Sequence, residues 1–232
     1  LGEQAIYIDM EGTLTPTWMQ VCGIDLDKLL VAQPNHGEEA LELCEKVVRS
    51  GQVSLVVIDS VSSLVPLSVA ESEMEDQNIG ALPRLLSRAL SKISPAVNKS
   101  GCTIIFINQV REKVGTYGNP STMSGGHALR HYSSLILRCS PGKKITLGSG
   151  TNEREIGRQI TVKVEKNKLA PPVGETVLDL LFASGFSREY AVLNLAFEKG
   201  ILTQRGPWIT MGETDNKWKG KEKLVEDMVN RP

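Results

Sequence analysis

Three hydrophobic segments of the chain each end in polar residues. These segments are Ile6–Glu11, Leu55–Ser60 and Thr103–Gln109. They are rich in β-branched residues and apolar at successive positions, which is typical of strands buried on both faces of a parallel sheet. Ligands of an open α/β sheet bind just beyond the carboxyl ends of its strands. We therefore expect Glu11, Asp59, Asn108 and Gln109 to line one crevice.

The rest of the hydrophobic pattern predicts alternating helices and strands, the arrangement of βαβ units. Apolar residues at helical spacing predict helices over residues 16–21, 37–50, 81–95, 187–199 and from 217 to near 229, with Pro95 bending or ending the third. Further strands are predicted over residues 29–33, 133–139, 159–165 and 177–182, and a hairpin at 204–206. Polar or glycine-rich residues at 68–80 and 110–126 predict two long loops of a kind that is often functional.

Composition is that of a globular protein, with 41% hydrophobic and 23% charged residues and a net charge of −1. The charge is divided unevenly. Residues 1–80 hold 14 acidic and 3 basic side chains, whereas residues 81–232 hold 13 acidic and 23 basic ones. This division favours an anionic partner for the second part, or head-to-tail contact between unlike faces of two copies. Solvated surface charge is the alternative.

The four cysteines are scattered without C-x-x-C spacing, so neither a disulfide framework nor a zinc site is predicted. Free thiols fit a reducing compartment, such as the cytoplasm or the stroma or matrix of an organelle. No apolar stretch reaches membrane-spanning length, and no signal peptide is visible.

The polar residues at the strand ends have the chemistry of a nucleotide site. Asp59, followed by Ser60, ends a hydrophobic strand, which is the position of the magnesium-binding aspartate in nucleotide-hydrolysing proteins. The alternative is that Asp59 serves only to cap the following helix. Glu11 lies past its strand and is a candidate general base, with a solvated turn as the alternative. Gln109 is a candidate for coupling nucleotide state to the loop that follows, with side-chain capping of the strand end as the alternative.

Cations and one aromatic residue surround the glycine-rich loop. Arg111, Lys113 and Arg130 flank or lie within it, and Tyr117 sits inside it. Cations with a stackable ring suit single-stranded nucleic acid, and an ordinary surface loop is the alternative. Arg84 follows the first loop and is a further candidate for a phosphate contact.

Two other features bear on ligand binding. Lys166 and Lys168 are one residue apart and are suited to a polyphosphate, unless they form only a solvated strand end. His127 and His131 have i, i+4 spacing without the glutamate of H-E-x-x-H, so no metal site is expected there. The phosphate-binding motif G-x-x-x-x-G-K-[ST] does not occur in the 232 residues. We therefore expect the phosphate cradle to lie outside them.

Together these segments resemble the bacterial RecA recombinase family over essentially the whole chain. The matching stretches are YIDME (7–11), LVAQP (30–34), LVVIDSVSSLVP (55–66), FINQVR (106–111), GNP with GG (118–120 and 125–126) and KNKLAPP (166–172). The resemblance implies an α/β fold. Residues 1–182 would form a RecA-type ATPase core with a mostly parallel central sheet flanked by helices, and residues 183–232 a small C-terminal α/β domain.

The resemblance also implies the function. It points to an ATP- and Mg²⁺-dependent protein that forms head-to-tail filaments on single-stranded DNA, pairs it with homologous double-stranded DNA and promotes strand exchange in repair. The implied catalytic residues are Glu11 and Gln109. The implied nucleotide-binding residues are Asp59, which holds Mg²⁺ through water, Ser60, Thr15 and Trp18 near the adenine, and Lys166 and Lys168 reaching the neighbouring subunit's ATP. The implied DNA-binding residues are Arg84, Arg111, Lys113, Tyr117, Gly118, Asn119, Gly125, Gly126 and Arg130.

Some residues depart from the usual pattern of the family. Thr15 and Trp18 replace an aspartate and a tyrosine, and Tyr117 replaces a phenylalanine. Because the phosphate-binding loop is absent, we expect this chain alone neither to hydrolyse ATP nor to form a normal filament. The alternatives are another RecA-fold motor, such as a helicase or a RadA-type ATPase, and a non-catalytic DNA-binding fragment.

Overall fold

The computed structural model describes residues 4–73, 80–112, 121–147, 152–171, 174–212, 214 and 216–230. The chain divides into two compact units, Leu1–Ser134 and Leu135–Pro232. This division falls earlier in the chain than the boundary at 182/183 predicted from the sequence, which stays a prediction. None of the helices within the described ranges combines the length and apolarity needed to cross a membrane.

A four-stranded parallel sheet organises the first unit. Its strands are β1 (Gln4–Asp9), β2 (Leu29–Ala32), β3 (Val53–Asp59) and β4 (Thr103–Phe106), in the order β2-β1-β3-β4. Ile8 pairs with Ile58 across the β1–β3 contact, and Ile58 pairs with Phe106 across the β3–β4 contact. All pairings are parallel, so the carboxyl ends of β1, β3 and β4 meet at one edge. The parallel sheet predicted from the sequence is confirmed.

Helices follow and connect these strands, and the longest of them cover one face of the sheet. They are α1 (Pro16–Val21), α2 (Gly37–Ser50), α3 (Leu67–Ala70), α4 (Ala81–Ser100) and α5 (His127–Tyr132). The His36 ring accepts the Glu39 N–H at the start of α2, and Gly51, with φ of +68°, ends it. The apolar stripes of α2 and α4 pack with the strands in one core, whose fully buried members include Cys44, Val48, Leu86, Val56 and Ile58.

The expectation that these strands are buried on both faces is wrong for part of the sheet. Side chains alternate between the two faces of a strand, and the core lies on the face of Ile8 and Ile58. On the opposite face, Val31 and Ile105 are each 47% exposed. Both helices with long apolar stripes, α2 and α4, pack into the core on the first face, so burial in the described structure is one-sided there.

The described structure also corrects three local expectations. Helix α4 continues through Pro95 to Ser100, because Ile93 and Ala96 remain buried on either side and hold it in the core. Within the predicted loop 68–80, residues up to 70 belong to α3, and residues 74–79 lie outside the described ranges. At the ends of the predicted loop 110–126, β5 (Val110–Glu112) and β6 (Ser121–Met123) pair as antiparallel strands, each satisfying the backbone of the other.

Within the described residues, the second unit forms two antiparallel sheets. The larger has the order β10-β9-β8-β7, formed by β7 (Leu135–Leu147), β8 (Arg154–Asn167), β9 (Glu175–Leu181) and β10 (Gly185–Phe186). The smaller joins β11 (Leu202–Arg205), β12 (Trp208–Met211) and β13 (Lys217–Lys219). Helices α6 (Arg188–Glu198) and α7 (Lys221–Asn230) share with the small sheet a core of Leu193, Leu202, Ile209 and Leu224.

Candidate functional site

Asp9 organises the turn that follows β1. Its side chain is 2% exposed and accepts four hydrogen bonds. Oδ1 accepts the N–H groups of Glu11 (3.2 Å) and Gly12 (2.8 Å), and Oδ2 accepts the Leu14 N–H (3.3 Å) and Gln33 Nε2 (3.2 Å). Burial opposes ionisation, but these hydrogen bonds outweigh it, so the pKa of Asp9 is lowered. These bonds give Asp9 a structural role in the turn that carries Glu11.

The carboxylate of Glu11 is held at the meeting point of three strand ends. Glu11 Oε1 accepts hydrogen bonds from Ser60 Oγ at 2.5 Å, Ser63 Oγ at 3.2 Å and Gln109 Nε2 at 3.4 Å. Glu11 follows β1, Ser60 follows β3, and Gln109 follows β4. Ser62 Oγ lies 2.7 Å from Ser60 Oγ and extends the hydroxyl cluster. The structure thus brings the two residues predicted to be catalytic into direct contact.

Asp59 ends β3 beside this cluster and has a partner on β1. Tyr7 Oη donates a hydrogen bond to Asp59 Oδ2 at 2.5 Å. Burial, this hydrogen bond and the charges of Asp59, Asp9 and Glu11 raise the pKa of Tyr7, so its hydroxyl stays protonated at neutral pH. The Asp59–Ser60 peptide bond is cis.

The donors at this edge fit a magnesium ion that is bound mainly by water and phosphate. Asp59, Glu11 and Ser60 offer oxygen atoms, which Mg²⁺ prefers, and Mg²⁺ commonly uses only one or two carboxylates with substrate phosphates. The described residues form no cluster of three or more His, Cys, Asp or Glu side chains suited to a metal. Asp9 is saturated by four donors, whereas Asp59 Oδ1 meets no donor within the described ranges. Asp59 is therefore the better candidate ligand.

The residues after β4 connect the site to the glycine pair. Asn108 Nδ2 donates to the Ser124 carbonyl at 2.9 Å, whereas its buried Oδ1 has no partner among the described residues. Gly125 is buried with φ of +86°, and a Cβ there would overlap Leu86 and crowd Val61. Close packing therefore requires a glycine at 125.

The structure describes some of the predicted DNA-binding residues but not all of them. Arg84 lies in the first turn of α4 with its guanidinium beside Gly80, Gly126 has φ of +70° beside Pro83, and Arg130 is exposed near the end of α5. Arg111 belongs to β5. Four more lie outside the described residues; they are Lys113, Tyr117, Gly118 and Asn119. Contact with DNA stays a prediction for all of them.

The remaining predicted nucleotide contacts come from Thr15 and Trp18 in the first unit and from Lys166 and Lys168 in the second. Thr15 precedes α1, where its hydroxyl donates to the Thr13 carbonyl, and Trp18 on α1 is exposed. Lys166 lies at the end of β8 in the second unit, and Lys168 follows it. Asn167 Oδ1, between the two lysines, accepts the N–H groups of residues 169 and 170 and so fixes the turn. The nucleotide contacts of these four residues stay predictions.

Sequence reasoning missed Tyr7 and Ser63. A signal for Tyr7 exists, because residues two apart in a strand point to the same face, and Tyr7 is two residues before Asp9. For Ser63, the signal is the run of hydroxyls directly after Asp59, at positions 60, 62 and 63. Neither signal identifies the partner, since the contacts depend on the register between β1 and β3.

Comparison of the sequence with known proteins identifies the family of the chain. Residues 1–187 match the family model described as the RecA N-terminal domain. The whole chain aligns at 43% identity with Protein RecA of Picosynechococcus sp., covering 66% of that protein, and with Protein RecA of Heliobacterium modesticaldum, also covering 66%. Protein RecA of Nostoc punctiforme is 43% identical over 233 aligned residues, with 63% of its length covered. The chain thus spans just under two thirds of the length of these curated relatives, and it belongs to the RecA family.

Proposed function

We propose that this chain is the core of an ATP-dependent, single-stranded-DNA-binding recombinase. Such a protein would form head-to-tail filaments, pair homologous DNA and promote strand exchange in recombinational repair in the bacterial cytoplasm. The observation that carries the proposal is the Glu11 carboxylate, held by Ser60, Ser63 and Gln109 beside Asp59. Membership of the RecA family supports the choice of ATP and DNA as ligands.

The proposed hydrolysis uses the groups at the three strand ends in separate roles. Magnesium, when bound, neutralises phosphate charge. Asp59 would hold it through water with Oδ1. Glu11 would orient the attacking water and accept its proton. Its position is fixed from two sides, because Asp9 holds its backbone N–H and Ser60 holds its carboxylate.

Gln109 is suited to report the nucleotide state. Its Nε2 donates to Glu11 at 3.4 Å, near the long limit of a hydrogen bond. A γ-phosphate would compete for this donor and draw the amide away from Glu11. Strand β5 begins at Val110, the next residue, and Asn108 is bonded to the backbone of Ser124. A shift of Gln109 would therefore act directly on the segment that carries the predicted DNA contacts.

Filament formation would depend on contacts between two copies of the chain. Lys166 and Lys168 would reach ATP bound by a neighbouring subunit, and the acidic first part of the chain would face the basic second part of another copy. An interface between unlike surfaces repeats head to tail, as a helical filament requires.

The test is ATP hydrolysis by the complete protein with and without single-stranded DNA. Glu11→Gln keeps the side-chain shape but removes the base, so we expect DNA-stimulated hydrolysis to fall by about 10²- to 10⁴-fold. Nucleotide binding should remain within a few-fold of the wild type. Glu45→Gln is the control, since Glu45 pairs with Arg49 on the surface of α2. Wild-type binding to DNA without any hydrolysis would instead favour the non-catalytic alternative.

A further inference from the structure

We propose that Tyr7 is a positioning residue for Asp59, fixing the aspartate that would hold magnesium. The inference rests on the proposed function, and it assigns a role to a residue that the motifs leave unexplained. It is carried by the 2.5 Å hydrogen bond from Tyr7 Oη to Asp59 Oδ2.

The register between β1 and β3 makes this contact possible. Tyr7 pairs with Val57, and Asp9 pairs with Asp59. Alternate residues of a strand share a face, so both aspartates and the tyrosine lie on the same face of the sheet. Asp59 lies two residues beyond Val57, the residue opposite Tyr7, and a long aromatic side chain spans this diagonal distance whereas a short side chain does not.

The Tyr7 hydroxyl binds one oxygen of the Asp59 carboxylate and leaves the other available to a ligand. Oδ2 is engaged by Tyr7, and Oδ1 meets no donor within the described ranges. A carboxylate held by one oxygen keeps its other oxygen in a fixed direction, which is how groups outside the coordination sphere orient metal ligands. Oδ1 can then accept a hydrogen bond from a water molecule that is bound to the magnesium ion.

Asp59 needs this support because it lies beside another carboxylate. The neighbouring Asp9 is neutralised locally by Glu11, Gly12 and Leu14 N–H groups and by Gln33. Within the described structure, Asp59 has only the tyrosine hydroxyl as a side-chain donor. Without that donor, repulsion from Asp9 would favour side-chain rotations that turn Asp59 away from the site.

The test is the Mg²⁺ dependence of nucleotide binding by the complete protein. A fluorescent, non-hydrolysable ATP analogue is titrated at increasing Mg²⁺ concentrations, and the Mg²⁺ concentration at half-saturation is measured. Removal of a group that orients a metal ligand typically costs 10- to 100-fold in metal affinity, and because Asp59 would act through water we expect the low end of that range. For Tyr7→Phe we expect a rise of about 10-fold, with unchanged analogue binding in EDTA. Tyr132→Phe, which removes a hydroxyl from α5, is the matched control and should match the wild type.

A purely structural role for Tyr7 predicts a different result. It would lower the melting temperature but leave the Mg²⁺ concentration at half-saturation unchanged, and a change below twofold would overturn the proposal. Combining Tyr7→Phe with Asp59→Asn adds a second criterion, because a residue that acts through Asp59 should have no further effect on Mg²⁺ dependence once that carboxylate is gone. Full additivity in this cycle would also overturn it. If the wild type shows no Mg²⁺-dependent analogue binding, the proposed function itself fails.

Discussion

Replacement of Asp9 by asparagine tests how the turn that carries Glu11 is held. The carboxylate accepts four hydrogen bonds, and hydrogen bonds to charged groups contribute about 1.5–3 kcal/mol each. Asparagine retains one acceptor oxygen. With that oxygen toward Glu11 and Gly12, its NH₂ group would face the Leu14 N–H, and Gln33 would have to turn its amide. We expect Asp9→Asn, which loses about one of these bonds, to lower the free energy of unfolding by about 2 kcal/mol, and Asp9→Ala, which loses all four, to lower it by about 6 kcal/mol.

The pH dependence of this loss identifies its cause. The pKa of Asp9 is lowered from an ordinary value of 3.8, because burial is outweighed by the hydrogen bonds. A lowered pKa stabilises the fold above the unfolded pKa, and the contribution is lost as pH falls through the folded pKa. The difference between wild type and Asp9→Asn should therefore be full near neutral pH and shrink below about pH 4.

Urea denaturation at several pH values measures both effects. Asp25→Asn is the control, because Asp25 is an exposed residue that accepts one backbone N–H and pairs with Lys28 in solvent, so its loss should be small. Equal stabilities of wild type and Asp9→Asn at neutral pH, or a difference that does not change with pH, would refute the reasoning.

Two further predictions concern packing. Gly125→Ala should lower the free energy of unfolding by about 3 kcal/mol, because the left-handed conformation costs about 1–2 kcal/mol and the overlap with Leu86 costs a similar amount. Gly101→Ala, at a glycine with φ of +70° and open space around it, should lower it by only about 1 kcal/mol in the same urea denaturation assay. Equal losses for the two variants would contradict the role of packing. Leu193→Ala should destabilise the second unit by about 3 kcal/mol in thermal unfolding, because Leu193 is fully buried. Leu195 is 53% exposed, so Leu195→Ala should change stability by less than about 0.5 kcal/mol in the same assay. A Leu193→Ala variant as stable as Leu195→Ala would show that the small core contributes little.

The convergence of the strand ends could be predicted from the sequence, because it follows from one rule. Parallel strands present their carboxyl ends at the same edge, so placing polar residues after each run also places them together in space. Glu11 and Gln109 are far apart in the chain but are in contact for this reason. Helix α2 was equally predictable, because its apolar stripe and the terminal Gly51 are local signals.

Contacts that depend on register or on close packing could not be predicted in this way. The bond from Tyr7 to Asp59 needs the alignment of β1 and β3, which no local pattern encodes. Gly125 looked like part of a DNA-binding loop, and its tight contact with Leu86 depends on how α4 packs. The pairing of β5 with β6 was missed because each is only three residues long, too short for a clear alternation.

The most direct test of the central claim is a crystal structure of the complete protein with Mg²⁺ and a non-hydrolysable ATP analogue. The account predicts magnesium on the Oδ1 side of Asp59, the γ-phosphate within hydrogen-bonding distance of Gln109 Nε2, and Glu11 facing that phosphate. Nucleotide bound with its γ-phosphate away from these three residues would contradict it.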